Sequence, residues 1–217
     1  MLFNWSQIDC VFLDLDGTLL DLHFDNHFWL EYVPLRYAEK HGLDHAEATQ
    51  ILHTKYSAVA NTLNWYCVEY WSRELLLDIP QLKQDTSNKI SVRPYVENFL
   101  QYLHRQDKRV VLVTNAHAAS VAIKMNKTGL GQHFHRIITS HELGYAKENA
   151  AFWPKLQSVE TFDVQRTLFI DDNFQVLDAA RHYGIENLLA IRKPDSQGQD
   201  KQHSHYILLD SFEQIMK

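Results

Sequence analysis

Five short apolar segments recur along the chain, and a stretch with helical periodicity follows each of them. They occupy residues 10–15, 109–113, 136–139, 167–170 and 188–191. Polar and apolar residues do not alternate within these segments, which is typical of parallel strands covered by helices on both faces. Strands that alternate with helices favour a parallel sheet with right-handed crossovers. The sequence therefore predicts an α/β fold built on a parallel sheet.

Residues with strong preferences for helix boundaries mark several of the connecting segments. Pro94 suits the first position of a helix, and Gly129 and Gly184 suit the positions just after one. The helices predicted in this way span residues 94–105, 118–128 and 174–183. The tail over residues 194–206 is polar and is predicted to be a loop, and Ser211 suits the N-cap of a short final helix.

The interval between the first two apolar segments departs from this alternation. Residues 22–90 carry helical periodicity and many aromatic side chains, but no convincing strand. A connection of roughly 65 to 70 residues is far longer than a strand-to-helix turn needs. We therefore expect an inserted helical cap domain at residues 22–90, and a core domain formed by residues 1–21 and 91–217.

Composition excludes several classes of partner and location. The chain has 217 residues and a formal charge of −6, which argues against a nucleic acid polymer as a partner. Only two cysteines occur, and no signal peptide is visible in the first residues, so we expect a reducing, cytoplasmic setting. The longest apolar runs are four or five residues, too short to span a membrane. A monomer or a small homo-oligomer is expected.

Polar side chains follow the ends of four predicted strands, where open parallel sheets bind their ligands. They are Asp14 and Asp16, Thr114 and Asn115, Lys147, and Asp171 and Asp172. Asp14 and Asp16 lie two residues apart, so in extended backbone their side chains point to the same side. Facing carboxylates repel each other unless a cation or a shared proton is present. With Asp171 and Asp172 added, the ligands are all hard oxygens, and this predicts Mg²⁺.

A magnesium ion, a hydroxyl and a lysine around one carboxylate suit a substrate that carries a dianionic phosphoryl group. Asp14 would then be free to attack phosphorus, since carboxylates can form aspartyl-phosphate intermediates. Asp16 could protonate the leaving oxygen and accept a proton from the attacking water. One DxD motif is a weak signal, because acids at strand ends often cap the next helix. The ordered set of four motifs is much more specific.

This set resembles the four motifs of the haloacid dehalogenase superfamily of phosphohydrolases. The resemblance implies a Rossmann-like core with a helical cap inserted after the first strand. Asp14 matches the nucleophile and Asp16 the general acid and base, while Thr114 and Lys147 match the hydroxyl and lysine of the second and third motifs. With Asn115, these last two are predicted to bind the phosphoryl group, and Lys147 is also predicted to be catalytic together with Asp14 and Asp16.

The resemblance also assigns the metal ligands. The predicted ligands of Mg²⁺ are Asp14, Asp16, Asp171 and Asp172. Of the two adjacent acids, Asp172 aligns with the usual ligand, and Asp171 is more often a lesser one. The sequence departs from the common pattern at Glu148, where many relatives have proline, and at Val176, where an acid or glycine is frequent.

Two strings in the cap, at residues 24–29 and 62–67, resemble those of bacterial GMP/IMP nucleotidases within this superfamily. This implies a 5′-nucleotidase for purine mononucleotides. In the second string, Trp65 could stack on a base and Asn64 could read its edge. Alternatively, these side chains only hold the cap helices together. The other functions considered are a phosphatase for phosphoglycolate or a sugar phosphate, and a non-catalytic binding module.

Thirteen histidines are many for a chain of this length. The pairs at positions 41 and 45, 133 and 135, and 203 and 205 lack a third ligand with suitable spacing, so we expect surface side chains rather than a zinc site. His117 follows the second strand end closely, and its placement at the rim of the crevice is left open.

Overall fold

The computed structural model describes residues 4–216, so residues 1–3 and 217 of the predicted core domain lie outside it. The described chain forms a six-stranded sheet in which every neighbouring pair is parallel. Its strands are β1 (Cys10–Leu13), β2 (Arg109–Thr114), β3 (Arg136–Thr139), β4 (Thr167–Asp171), β5 (Asn187–Ile191) and β6 (Ile207–Leu209). They lie in the order β3-β2-β1-β4-β5-β6. The predicted α/β fold with a parallel sheet is confirmed.

Helices connect the strands and cover the sheet. The α-helices of the described residues are α1 (His23–His27), α2 (Val33–His41), α3 (His45–Val59), α4 (Leu63–Tyr66), α5 (Val68–Leu75), α6 (Ile79–Asp85), α7 (Val96–Arg105), α8 (Ala118–Thr128), α9 (Ser140–Leu143), α10 (Phe152–Val159) and α11 (Phe174–Tyr183). None of them is both long and apolar enough to cross a membrane.

The two faces of the sheet are buried under different helices, which explains the uninterrupted apolar segments. Val11 and Leu13 of β1 pack in one hydrophobic cluster together with residues of α7. Cys10 and Phe12 point to the opposite face and pack in a second cluster with residues of α10 and α11. Because successive side chains of a strand point to opposite faces, both faces of β1 must be apolar.

Helix ends agree with the sequence at two glycines and disagree at one proline. Gly129 and Gly184 follow α8 and α11 in left-handed conformation, as predicted. The prediction that Pro94 begins a helix is wrong, since α7 begins at Val96. Tyr95 has a φ of 63°, which a helix cannot include, and the helix therefore starts after it.

The C-terminal part holds one strand that the sequence pattern did not reveal. β6 has only three residues and pairs with β5 at the edge of the sheet. Three residues are too few to show a periodic pattern. The expected short final helix is present as a 3₁₀ turn at Phe212–Ile215, and the Ser211 side chain accepts a hydrogen bond from the Glu213 amide.

The insertion between β1 and β2 contains helices α1 to α6 and packs around a hydrophobic cluster of its own. Its most buried large side chains include Phe28, Leu52, Trp71 and Leu75. A π-helical segment, Phe28–Tyr32, joins α1 to α2 without a break. The two chain segments that connect the insertion to the sheet run side by side, since Leu20 and Val92 form an antiparallel bridge.

Candidate active site

The carboxyl ends of three adjacent strands place the predicted side chains at one point. β1 lies between β2 and β4, so β2 and β3 extend the sheet on one side of β1 and β4 to β6 extend it on the other. Open α/β sheets bind their ligands where the strand order reverses in this way. Leu13 pairs with Leu112 of β2 and with Ile170 of β4. The next residue, Asp14, donates its amide hydrogen to the Ile170 carbonyl at 3.0 Å. Asp14 and Asp171 therefore leave the sheet side by side.

Lys147 lies at the centre of this group, and its side chain is only 2 % exposed. Its Nζ donates to Asp14 Oδ1 at 2.5 Å, to Asp171 Oδ2 at 2.7 Å and to the Val113 carbonyl at 3.1 Å. Burial alone would lower the pKa of Lys147, but Asp14 and Asp171 raise it. The lysine therefore stays charged and neutralises two buried carboxylates.

Three carboxylates form an oxygen-rich group beside this lysine. Asp14, Asp171 and Asp172 are all buried, and one oxygen of each lies within 4.8 Å of the others. Burial raises the pKa of Asp14 and of Asp171, and Lys147 opposes both shifts. Carboxylate oxygens at this spacing could hold a hard divalent cation. The observed donor set thus fits the metal type expected from the sequence.

The Asp172 carboxylate lies against the loop that follows β1. Gly17 of this loop has a φ of 84°, and a Cβ atom there would lie 2.7 Å from Asp172 Cγ. A residue without a side chain is therefore needed at this position. Lys201, from the loop between β5 and β6, donates to Asp172 Oδ2 at 2.8 Å. This second lysine lies in the polar tail over residues 194–206, which carries no pattern that predicts its contact with Asp172.

The Asp16 side chain is not part of the group of three carboxylates in the described structure. Its Oδ2 pairs with Lys124 Nζ of α8 at 2.6 Å, while its Oδ1 is buried without a hydrogen-bond partner among the described residues. Burial raises the pKa of Asp16 to about 6, assisted by nearby Asp25 and opposed by Lys124. A carboxyl group with this pKa can hold a proton near neutral pH and also release it.

Two further lysines link the insertion to the core through Asp25 of α1. Asp25 accepts from Lys83 of α6 at 2.9 Å and from Lys124 at 2.7 Å. Both lysine side chains are almost fully buried, and Lys83 Nζ also lies 4.4 Å from the centre of the Phe28 ring. This network extends from the insertion to Asp16. Sequence reasoning missed it, although each lysine lies on the apolar face of its helix.

The predicted phosphate-binding residues are held in place by the loop after β3. Asn115 accepts from the Lys147 amide at 2.9 Å and donates to Glu148 Oε2 at 2.9 Å. Glu148 also accepts from the hydroxyl of Tyr66, in the insertion, at 2.7 Å. Thr114 is buried, and its Oγ1 accepts from the Ala116 amide at 3.0 Å. Glu148, the residue that departs from the common pattern, thus joins the insertion to the core.

A cavity of about 350 Å³ lies between the carboxylate group and the insertion. The core side contributes the predicted residues Asp14, Asp16, Thr114, Asn115, Lys147, Asp171 and Asp172. The insertion contributes Trp29, Leu30, Trp65 and Tyr66. Of the two predicted base-contacting residues, Trp65 lines the cavity, whereas Asn64 is exposed and is not among its lining residues. His117 also lines the cavity, at its core side.

Comparison with protein families identifies this arrangement. A family model described as haloacid dehalogenase-like hydrolase matches residues 8–184. The match includes β1, β2 and β4, whose ends carry the carboxylates. The chain belongs to the haloacid dehalogenase-like hydrolase family. This confirms the family predicted from the four motifs, and it makes the chain a hydrolase.

Individual relatives of this hydrolase include proteins with named activities. GMP/IMP nucleotidase YrfG of Escherichia coli (strain K12) is 38% identical over 212 residues, which cover 98% of this chain and 96% of that protein. A phosphoglycolate phosphatase of Pseudomonas fluorescens is 24% identical over 192 residues, 85% of this chain and 70% of that protein. The chain also superimposes on a crystal structure of a HAD phosphatase from Thermococcus onnurineus, over 96% of each chain, with a TM-score of 0.80 and 17% sequence identity. This similarity supports the fold.

Proposed function

We propose that this haloacid dehalogenase-like hydrolase is a Mg²⁺-dependent 5′-nucleotidase that dephosphorylates purine mononucleotides such as IMP and GMP. The observation that carries the proposal is the 38% identity, over nearly the full length of both chains, to a protein named GMP/IMP nucleotidase. The site agrees with it, since a cavity with tryptophan and tyrosine on one wall ends at a buried carboxylate and lysine.

In this proposal Asp14 attacks the phosphorus atom and forms an aspartyl phosphate. Lys147 would stabilise the negative charge that develops on the phosphoryl oxygens, because its ammonium group is buried beside Asp14. Bound by Asp14, Asp171 and Asp172, Mg²⁺ would offset the charge of these carboxylates and of the phosphate. Thr114 and Asn115 would position the phosphoryl group from the end of β2.

Asp16 would transfer the protons. Asp16 lines the same cavity as Asp14, its buried Oδ1 has no hydrogen-bond partner among the described residues, and its Oδ2 is held by Lys124, so the carboxyl group has a fixed orientation. With a pKa of about 6, Asp16 can protonate the leaving nucleoside oxygen and then accept a proton from water. The same proposal treats residues 22–90 as a cap that covers the cavity and excludes water.

The test is phosphate release from a panel of monophosphates at saturating Mg²⁺, with chelator added to matched samples. The panel contains IMP, GMP, AMP, phosphoglycolate and a sugar phosphate. We expect kcat/KM for IMP and GMP to exceed the other values by at least about tenfold, a difference of about 1.4 kcal/mol in transition-state binding. A preference for phosphoglycolate or the sugar phosphate would favour the alternative phosphatase. No release from any member would favour the binding module.

A further inference from the structure

A second group of metal-ligating side chains lies at the contact between the insertion and the core, apart from the carboxylate group. We call it the seam cluster, and it consists of Cys67, Glu69, His117 and His141. Ligand atoms of Cys67, His117 and His141 all lie within 4.8 Å of one another. Glu69 Oε2 lies 2.9 Å from His117 Nε2 and 3.7 Å from Cys67 Sγ. The sequence spacing of these residues gave no signal for a metal site.

The seam cluster contains buried polar atoms that no described residue satisfies. Both ring nitrogens of His141 are buried, and neither makes a well-formed hydrogen bond among residues 4–216, although the Leu63 backbone lies close enough to interact with the ring. The His117 ring lies edge-on, with its centre 4.7 Å from the centre of the His141 ring. Buried polar groups without partners are rare and call for an explanation, such as an ion that belongs at the site.

We propose that the seam cluster is a binding site for Zn²⁺, held by Cys67 and Glu69 from the insertion and by His117 and His141 from the core. Thiolate, imidazole and carboxylate ligands are the set that Zn²⁺ takes in proteins. Mg²⁺ prefers oxygen ligands, so it is directed to the three aspartates instead. The two sites therefore select different metals.

The separations of the ligand atoms are compatible with a tetrahedral site. Ligand atoms around Zn²⁺ lie about 3.3–3.8 Å apart, since Zn–N and Zn–S bonds are about 2.0–2.3 Å long. The ligand atoms of Cys67, His117 and His141 lie within 4.8 Å of one another, so each separation needs to close by no more than about 1.5 Å to reach these values. The Glu69 side chain is 61 % exposed, which leaves a path for an ion from solvent.

The local backbone holds two of these side chains in place. Cys67 is the N-cap of α5. Its Sγ already accepts the Tyr70 amide at 3.4 Å, a contact that a metal-bound thiolate can keep. His117 is the N-cap of α8, and binding through Nε2 would place its proton on Nδ1. This gives up the long 3.3 Å hydrogen bond from the Ala119 amide, and the direct contact between Nε2 and Glu69 is replaced by bonds from both groups to the ion.

The position of the seam cluster implies that a bound ion would affect turnover. Two ligands move with the insertion and two with the core, so a complete site exists only while the insertion lies against the core. Zn²⁺ would therefore stabilise this arrangement. Because the cavity is lined by both the insertion and the core, we expect substrate entry and product release to need a movement of the insertion, which bound Zn²⁺ would slow. This consequence rests on the proposed phosphatase function, whereas metal binding itself does not.

The first experiment measures binding alone, with Co²⁺ as the spectroscopic substitute for Zn²⁺. The full chain is titrated with Co²⁺ in excess Mg²⁺, which keeps the aspartates occupied. We expect a thiolate-to-cobalt charge-transfer band and intense visible bands of tetrahedral Co²⁺, both reaching a plateau at one equivalent and disappearing when Zn²⁺ is added. Cys67→Ser and His141→Gln should each remove these bands, with unchanged circular dichroism. Cys10→Ala, which changes the other cysteine of the chain, should retain them.

The second experiment measures phosphate release in excess Mg²⁺ as Zn²⁺ is increased. We expect inhibition in the wild type and in Cys10→Ala, and at least a tenfold weaker inhibition in Cys67→Ser. Weak octahedral bands without charge transfer, or bands that persist in Cys67→Ser, would overturn the site. Normal bands without Zn²⁺ inhibition would overturn its effect on the cap. Normal bands in a protein without phosphatase activity would leave the site intact and reject the proposed function.

Discussion

Replacing Asp25 by asparagine should destabilise the protein by an amount that the structure allows us to work out. Asp25 accepts hydrogen bonds from the buried ammonium groups of Lys83 and Lys124. Burial alone would raise the pKa of Asp25, but the two lysines lower it from 3.8 to about 2. This difference corresponds to roughly 2 kcal/mol of folding free energy at neutral pH. The asparagine amide also turns an N–H donor toward one lysine, which adds about 1–3 kcal/mol to the loss of folding free energy.

The pH dependence follows from the sign of the shift. A carboxyl group with a lowered pKa in the folded state stabilises the protein above its unfolded pKa, and the effect disappears as the pH falls through the folded value. The free energy of unfolding should therefore be about 3–5 kcal/mol lower in Asp25→Asn at neutral pH. The part of this difference that comes from ionised Asp25 itself should stay constant down to about pH 5 and shrink below about pH 4. Loss of the Asp25 charge also lowers the pKa of Asp16, which adds a change near pH 6.

Urea unfolding followed by circular dichroism and tryptophan fluorescence measures this difference. The matched control is Asp85→Asn, which changes an exposed aspartate on the same helix as Lys83. A double-mutant cycle with Lys83→Met should show that the two changes together cost less than their sum by at least about 1 kcal/mol. The assigned role of Asp25 is refuted if Asp25→Asn loses no more stability than the control, or if its deficit varies between about pH 7.5 and pH 8.5, above the range in which Asp16 titrates.

Further substitutions test the metal ligands and the cavity wall. Asp172→Ala should weaken Mg²⁺ binding more than Asp171→Ala in a calorimetric titration, and the opposite order would mean that the two assignments are exchanged. Tyr66→Phe removes the hydroxyl that joins the insertion to the core. The kcat/KM for IMP should then fall by about three- to tenfold, because one lost hydrogen bond is worth about 0.5–1.5 kcal/mol. An unchanged value would show that this contact does not matter for turnover. Trp65→Leu should reduce kcat/KM for IMP by about tenfold or more and leave kcat/KM for an aryl phosphate unchanged. Asn64→Ala should leave kcat/KM for both substrates unchanged, because Asn64 is exposed outside the cavity. Equal losses on both substrates in Trp65→Leu would assign that ring to packing.

The parallel sheet and the strand-end residues could be predicted because both depend on local sequence. The uninterrupted apolar residues of Val110–Val113 indicate a strand that is buried on both faces, and the residue after them must lie at the carboxyl end of that strand. Adjacent parallel strands then bring Asp14, Thr114 and Asp171 together without any knowledge of side-chain packing. The start of α7 could not be predicted in this way, since the left-handed conformation of Tyr95 has no sequence signature.

The charged network and the seam cluster depend on contacts between distant segments. Lys124 and Asp25 are separated by 99 positions, and Lys201 reaches Asp172 from a loop that carries no pattern. One signal was nevertheless present, because Lys83 follows the apolar spacing of Ile79 and Leu82 in α6. A lysine at such a buried position needs a carboxylate partner. Which carboxylate this is becomes clear only from the folded chain.

A covalent bond between Asp14 and the phosphoryl group makes turnover depend on the Asp14 carboxylate, and the turnover of Asp14→Asn measures this dependence. Asparagine has nearly the same size, so the fold and phosphate binding should be kept, while the nucleophilic oxygen is lost. We expect kcat for IMP at saturating Mg²⁺ to fall by at least about a thousandfold, with an unchanged circular dichroism spectrum. A variant that keeps even about a tenth of the wild-type rate would contradict the account, since hydrolysis would then not pass through Asp14.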